Sequence, residues 1–251
     1  MQKLLELAIR ASEAACKEIL SVYNSGDFQT EAKGDNSPLT LADKKAHNII
    51  VSILQPSNLP VLSQEGKNIS YEERKNWKQF WMVDPLDGTK EFVKRNGEFT
   101  VNIALIENQK PVLGVVAIPV TGDVFYFVKG LGAFVKRNGK ISSLPKRLPL
   151  DLTKPGIRVV ASRSHMSEET EAYIQSLKEP ALVSQGSSLK FMLLAEGKSD
   201  VYPRFAPTME WDTSAARAVV SEVGISVLQK DTTIPLLYNK PVLLNPHFIC
   251  I

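Results

Sequence analysis

Residues 80–89 read Phe80-Trp81-Met82-Val83-Asp84-Pro85-Leu86-Asp87-Gly88-Thr89. An apolar run short enough for a buried strand ends in two aspartates, a proline and a glycine. Carboxylates at a strand end have a fixed origin and face a ligand readily. Pro85 stiffens the chain, and Gly88 permits a tight turn with close approach of a substrate. Two aspartates at this interval can address one hard cation, with the Leu86 carbonyl as a third oxygen. Oxygen-only ligation suits Mg²⁺. The spacing alone equally describes Asp84 capping a turn and Asp87 opening one.

Downstream, four β-rich runs follow at Phe99–Glu107, Val112–Ile118, Val124–Val128 and Ala133–Val135, separated by Asn/Gln- and Gly-containing turns. That spacing predicts an antiparallel meander. Upstream, Leu4, Ala8, Ala11, Ala15, Ile19 and Val22 form one helical stripe that Asn24-Ser25-Gly26 terminates. A second helix is expected from Thr40 to Pro56, then a short strand at Leu59–Leu62 and a loop or weak helix over Gly66–Lys78. Beyond about residue 150, strands at Arg158–Ala161, Ala181–Ser184, Asp200–Tyr202 and Val242–Leu244 alternate with helices at Glu168–Leu177, Ser188–Glu196 and Thr213–Val223. Such alternation indicates an α/β unit. We therefore expect an α+β half over 1–148 and an α/β half over 149–251, divided within Leu144–Thr153.

The chain has 251 residues, 30 basic and 27 acidic, for a net charge of +3. This balance argues against a nucleic-acid binder, which would gather its cations on one face. No apolar run approaches the ~20 residues of a membrane span, and charges interrupt the N-terminal stretch too often for a signal-peptide core. Cys16 and Cys250, at opposite ends, exclude a disulfide scaffold and fit a cytoplasmic protein.

Further carboxylates qualify as partners of the 84–87 pair if the fold gathers them. Glu65 follows the Val61-Leu62-Ser63 strand, Asp43 sits in the first turn of the second helix, and Asp212 precedes the 213–223 helix. Asp212 is equally an ordinary helix cap, and Asp43 a charge favoured by the helix dipole. Aspartyl-phosphate phosphatases of the haloacid-dehalogenase type carry D-x-D-G-T. Here the interval is three, and many strands follow at once, which opposes that chemistry.

Two motifs make the sequence recognisable. Trp81–Thr89 fits W-x-[VI]-D-P-[IL]-D-G-T, and Trp211-Asp212-Thr213-Ser214-Ala215 fits W-D-x-[AS]-A. In that order, they resemble the inositol monophosphatase superfamily over essentially the whole chain. Lys90-Glu91-Phe92, Arg95–Ile106, Asp35–Pro38, Ser162–His165, Gly186–Phe191 and Tyr202–Phe205 are similar to its bacterial 3'(2'),5'-bisphosphate nucleotidase branch, the CysQ type.

The resemblance implies a layered α/β/α/β/α sandwich and a lithium-sensitive, Mg²⁺-dependent phosphomonoesterase using two or three ions. Its substrate would be adenosine 3',5'-bisphosphate, cleaved to AMP and phosphate, with 3'-phosphoadenylyl sulfate as a further substrate, in sulfur metabolism. Alternatives are an inositol-phosphate phosphatase or a nucleotide-binding pseudo-enzyme. By resemblance, Asp84, Asp87, Asp212 and the Leu86 carbonyl hold metal, while Asp43 and Thr89 orient and deprotonate water. Leu86, Asp87, Gly88, Thr89 and Asp212 also meet the scissile phosphate. Gly186, Ser187, Lys190, His165 and Arg204 grip the nucleotide. The family has two acidic residues after the 61–62 strand, the first a metal ligand, but this chain reads Gln64-Glu65. Glu65 is the expected ligand and Gln64 the second candidate. The implied site is cytoplasmic, with peripheral attachment to the inner face of the inner membrane left open, as is the oligomeric state.

Overall fold

The structure, a computed structural model, describes residues 1–32, 38–162 and 166–251. The chain begins with α1 (Gln2–Ser25), a β1/β2 pair (Glu31–Ala32, Pro38–Leu39) and α2 (Leu41–Leu54). It continues through β3 (Val61–Ser63), α3 (Tyr71–Arg74), β4 (Gln79–Asp87) and α4 (Thr89–Val93). The meander follows as β5 (Thr100–Glu107), β6 (Lys110–Ile118), β7 (Asp123–Val128), β8 (Gly132–Arg137) and β9 (Lys140–Ser143). The remainder is β10 (Arg158–Ala161), α5 (Glu168–Ser176), β11 (Ala181–Ser184), α6 (Leu189–Ala195), β12 (Tyr202–Arg204), α7 (Ser214–Glu222), β13 (Val227–Gln229) and β14 (Phe248–Cys250).

Strands β3 to β9 form one seven-stranded sheet in sequence order, antiparallel except for the parallel β3–β4 pair. One face receives the alanine-rich stripes of α1 and α2, which bury Ala8, Ala11, Ala15, Ile19, Ala46 and Ile50 against Trp81, Val83, Ile103 and Leu105. The other face packs on α6 and α7 through Met82, Ala104, Val116, Met192, Ala215 and Val219. The inner strands β4 to β7 thus bury both faces, which accounts for their nearly continuous apolar runs. A second sheet lies beyond α6 and α7. It pairs β11–β10 in parallel and β12–β14–β13 in antiparallel fashion, joined by the Val159–Val201 bridge. Helix α5 closes its outer side with Ile174 against Val159 and Val201. The result is the expected α/β/α/β/α order.

Some elements depart from expectation. Strand β4 continues to Asp87 instead of stopping at Val83. Val242–Leu244 forms no strand; Leu244 makes only a single bridge to Met209. The missed β14 pairs with both β12 and β13, a three-residue strand too short to show periodicity. In the 66–78 stretch, only α3 is helical, with Ser70 accepting from the Glu73 N–H as its cap.

Close packing sets how near α7 comes to the first sheet. A Cβ on Gly114 of β6 would stand 2.4 Å from the Ala215 carbonyl oxygen and 2.7 Å from the Ala218 Cβ. Only glycine admits this approach, which carries the start of α7, and Asp212 before it, toward the β4 edge. Among the described residues, no helix is long and apolar enough to cross a membrane.

Candidate active site

Strand β4 carries a bulge that decides where its carboxylates point. Asp84 pairs with Asn102 and Asp87 with Thr100, so three steps along β4 match two along β5. In a regular strand, residues three apart face opposite sides. The extra residue reverses the alternation. Trp81 and Val83 pack toward α1 and α2, and after the bulge Leu86 does so as well. Asp84 and Asp87 therefore share the face toward α6 and α7, where both line a cavity of about 370 Å³. Pro85, which has no N–H to give the ladder, sits within the irregularity.

Asp87 joins the first sheet to the 186–190 segment. Its Oδ2 accepts from the Ser188 N–H at 2.6 Å and the Ser188 hydroxyl at 2.8 Å. Thr100 Oγ1 and Asn102 Nδ2 lie 3.5 Å away. Asp84, almost fully buried, accepts from the Leu86 N–H at 3.1 Å. Asp212 accepts from the Met209 N–H at 2.9 Å. Burial, and then the nearby Asp87 charge, push the Asp212 carboxyl up to about 7.

Thr89 and Asp43, the pair expected to act on water, lie within hydrogen-bond distance. Thr89 Oγ1 donates to Asp43 Oδ1 at 3.1 Å, with the Leu86 carbonyl as an alternative acceptor at 3.2 Å. Asp43 Oδ2 accepts from the Thr40 N–H at 2.8 Å and the Thr40 hydroxyl at 2.6 Å, closing a capping box at the start of α2. The acidic partner of the Thr40 cap and the candidate catalytic carboxylate are thus the same residue.

The structure places Gln64 and Glu65, the two candidate ligands after β3, differently. Parallel pairing aligns Ser63 with Val83, and the Gln64 N–H bonds the Val83 carbonyl at 3.1 Å. That register sets Gln64 beside Asp84. With its amide nitrogen toward Asp84, Gln64 donates at 2.8 and 3.3 Å, and it lines the cavity. A turn closed by Gly66 N–H to the Ser63 carbonyl then carries Glu65 toward His47, away from the cavity lining.

Gly186, Ser187, Lys190 and Arg204 line the same cavity. Lys190 differs from a freely reaching cation. Its Nζ donates to the carbonyls of Ser187 at 2.6 Å and Gln185 at 3.4 Å, and lies 5.5 Å from the Tyr202 ring centre. Burial lowers its pKa to about 8. Arg204 spends Nη2 on the Pro207 carbonyl at 3.0 Å, while its Nε is buried without an acceptor among the described residues. His165 lies outside the described residues, as do Asp35, Asn36, Ser37, Arg163 and Ser164. Sequence reasoning missed Ser188, Thr100 and Asn102 around Asp87, and Glu98, whose Oε2 accepts from the Gly186 N–H at 2.7 Å. All lie within the motif-bearing stretches but announce no chemistry by type.

Among the described residues, no three Asp, Glu, His or Cys side chains form a ready-made cation cage. The cavity instead offers a mixed oxygen set: the three aspartates, the Leu86 carbonyl and the Gln64 amide. This suits Mg²⁺, which takes one or two carboxylates and fills its octahedron with water and substrate phosphate.

Known proteins are similar to this chain over nearly its whole length. The 3'(2'),5'-bisphosphate nucleotidase CysQ of Salmonella typhimurium is 44% identical, covering 90% of this chain and 89% of its own. That of Escherichia coli K12 is 42% identical over 99% of this chain and 98% of its own. The crystal structure of CysQ from Bacteroides thetaiotaomicron, at 46% identity, superposes with a TM-score of 0.89, covering 100% of this chain and 97% of that one. Residues 1–248 match the sequence pattern of one family across both sheets and the cavity between them; the chain belongs to the inositol monophosphatase family.

Proposed function

We infer that the chain is a metal-dependent 3'(2'),5'-bisphosphate nucleotidase that hydrolyses adenosine 3',5'-bisphosphate to AMP and phosphate. The observation that carries this reading is the polarity of one cavity. Asp84, Asp87, Asp212 and Thr89, which bonds Asp43, share its lining with the cations Lys190 and Arg204. A ligand with phosphate at two positions suits such a site: one group meets the metal-binding end and the other the cations. The activity named for the near-full-length relatives agrees.

Asp84, Asp87, Asp212 and the Leu86 carbonyl would hold Mg²⁺, with Gln64 offering its amide oxygen after rotation. When bound, Mg²⁺ neutralises phosphoryl charge and makes water a better nucleophile. Thr89 orients that water and passes its own hydroxyl proton to Asp43 as it accepts one from the nucleophile. The oxygen of water bonds to phosphorus, the bond to the ribose 3'-oxygen breaks, and that oxygen takes up a proton. Gly88 and Thr89 lie at the entry to α4, where first-turn N–H groups lack helical acceptors and suit phosphate oxygens. No residue is required to form a covalent phosphoenzyme.

The deciding experiment compares adenosine 3',5'-bisphosphate with inositol 1-phosphate at saturating Mg²⁺. Preferential phosphate release from the nucleotide supports the reading. Preference for the inositol ester, or binding of nucleotide without turnover, overturns it.

A further inference from the structure

Glu91 lies in the first turn of α4, two residues beyond Thr89, half-buried on the cavity wall. Its side chain presses against the 186 position: a Cβ there would stand 2.9 Å from the Glu91 Cγ. Glycine at 186 is thus what lets the carboxylate occupy this wall. Among the described residues, no donor bonds that carboxylate. Lys190 feels its charge, but its ammonium is turned to the Ser187 and Gln185 carbonyls. The Gly186 N–H is taken by Glu98.

An ionised carboxylate only accepts hydrogen bonds, and polar groups sheltered from water are normally paired. A ligand filling this cavity must therefore bring a donor to Glu91. The phosphates of a bisphosphate nucleotide are acceptors and would be repelled. Its remaining donors are the free ribose hydroxyl and the exocyclic amine of the base. Glu91 stands near the reaction end of the cavity, because the Gly186–Ser187 segment it touches abuts Gly88, where a Cβ would stand 3.2 Å from the Ser187 Cβ. The hydroxyl vicinal to the scissile phosphate reaches that end; the base extends away from it. We propose that Glu91 accepts a hydrogen bond from the ribose hydroxyl vicinal to the scissile phosphate and is a specificity-determining residue for this reaction. The assignment rests on the nucleotidase reading above. It implies selection for a vicinal phosphate–hydroxyl pair, whichever of the two ribose oxygens carries the phosphate.

The test measures kcat/KM for adenosine 3',5'-bisphosphate and its 2'-deoxy analogue with the wild-type chain, Glu91→Gln and Glu91→Ala. A hydrogen bond to a charged acceptor corresponds to a wild-type preference of roughly ten- to a hundred-fold for the ribonucleotide. Glu91→Ala should erase that preference. Glu91→Gln, whose amide oxygen still accepts, should retain a reduced one and provides the reading if the alanine variant does not fold. Equal use of both substrates by the wild-type chain overturns the assignment. So does a deoxy penalty that survives undiminished in either variant, which would place the contact elsewhere. Wild-type failure on the ribonucleotide itself would overturn the nucleotidase reading, a result distinguishable from both.

Discussion

Ser188 donates both its main-chain N–H and its hydroxyl to a single carboxylate oxygen of Asp87, 2.6 and 2.8 Å away, across 101 residues of sequence. The hydroxyl also lies 3.0 Å from the Asp212 carbonyl, so its one hydrogen is shared between two segments of the site. The α6 entry thereby ties the β4 bulge to the loop before α7. Substituting Ser188→Ala keeps the N–H bond but removes the shared one. We expect a loss of about 1–2 kcal/mol of stability and a several-fold lower kcat. Urea unfolding and steady-state kinetics check both; an unchanged kcat would detach Ser188 from the alignment of Asp87.

Thr89 is expected to matter for proton transfer and little for folding, because the Thr40–Asp43 capping box stands without it. Thr89→Val should lower kcat by about 10²- to 10⁴-fold while leaving Mg²⁺ binding, read by calorimetry, unchanged. Thr89→Ser should recover most of the loss. Near-normal turnover in the valine variant would remove the hydroxyl from the reaction.

Gln64 and Glu65 should respond differently to charge exchange. Gln64→Glu places a full negative charge beside Asp84 in a partly desolvated site, where attraction for a cation exceeds that in bulk water. The half-saturating Mg²⁺ concentration should fall by about tenfold. Glu65→Gln, directed toward His47, should leave it unaltered. The reverse pattern would return Glu65 to the metal site.

Asp200 tests the scaffold that carries Arg204. Its carboxylate accepts from the Arg158 N–H at 3.0 Å and from Arg158 Nε and Nη2 at 2.8 and 2.6 Å, which fastens β10 to the entry of β12 and hence to Arg204. These bonds hold its pKa below the ordinary value. A depressed carboxyl stabilises the fold fully above the unfolded pKa of about 3.9. That contribution disappears as the pH falls through the lower folded value. Because Arg158 is partly exposed, the effect is modest, about 1 kcal/mol. Asp200→Asn should lower stability at pH 7 and flatten the acid limb of urea midpoints measured from pH 3 to 7. An unaltered acid limb would show that other carboxylates set it.

Local pattern was enough to determine much of this protein. The 3.6-residue stripe of α1, the β-rich runs of the meander and the change of rhythm after residue 150 follow from side-chain pattern and turn residues. Two spaced motifs, through the family resemblance they carry, implied a phosphomonoesterase site at Asp84, Asp87 and Asp212. Tertiary structure alone decided how those groups face one another. The bulge that brings Asp84 and Asp87 to one side of β4 exists only in pairing with β5, because an extra residue is defined by what lies opposite it. Gln64 rather than Glu65 stands beside Asp84 because register with β4 sets which residue precedes the turn. Lys190 is drawn onto the Ser187 and Gln185 carbonyls, and Glu91 is left for a ligand, by contacts formed after the two sheets close around α6 and α7. Periodicity records which face of an element is apolar. Pairing register and the approach of distant segments set the direction of each polar group, and neither is encoded within a window of a few residues.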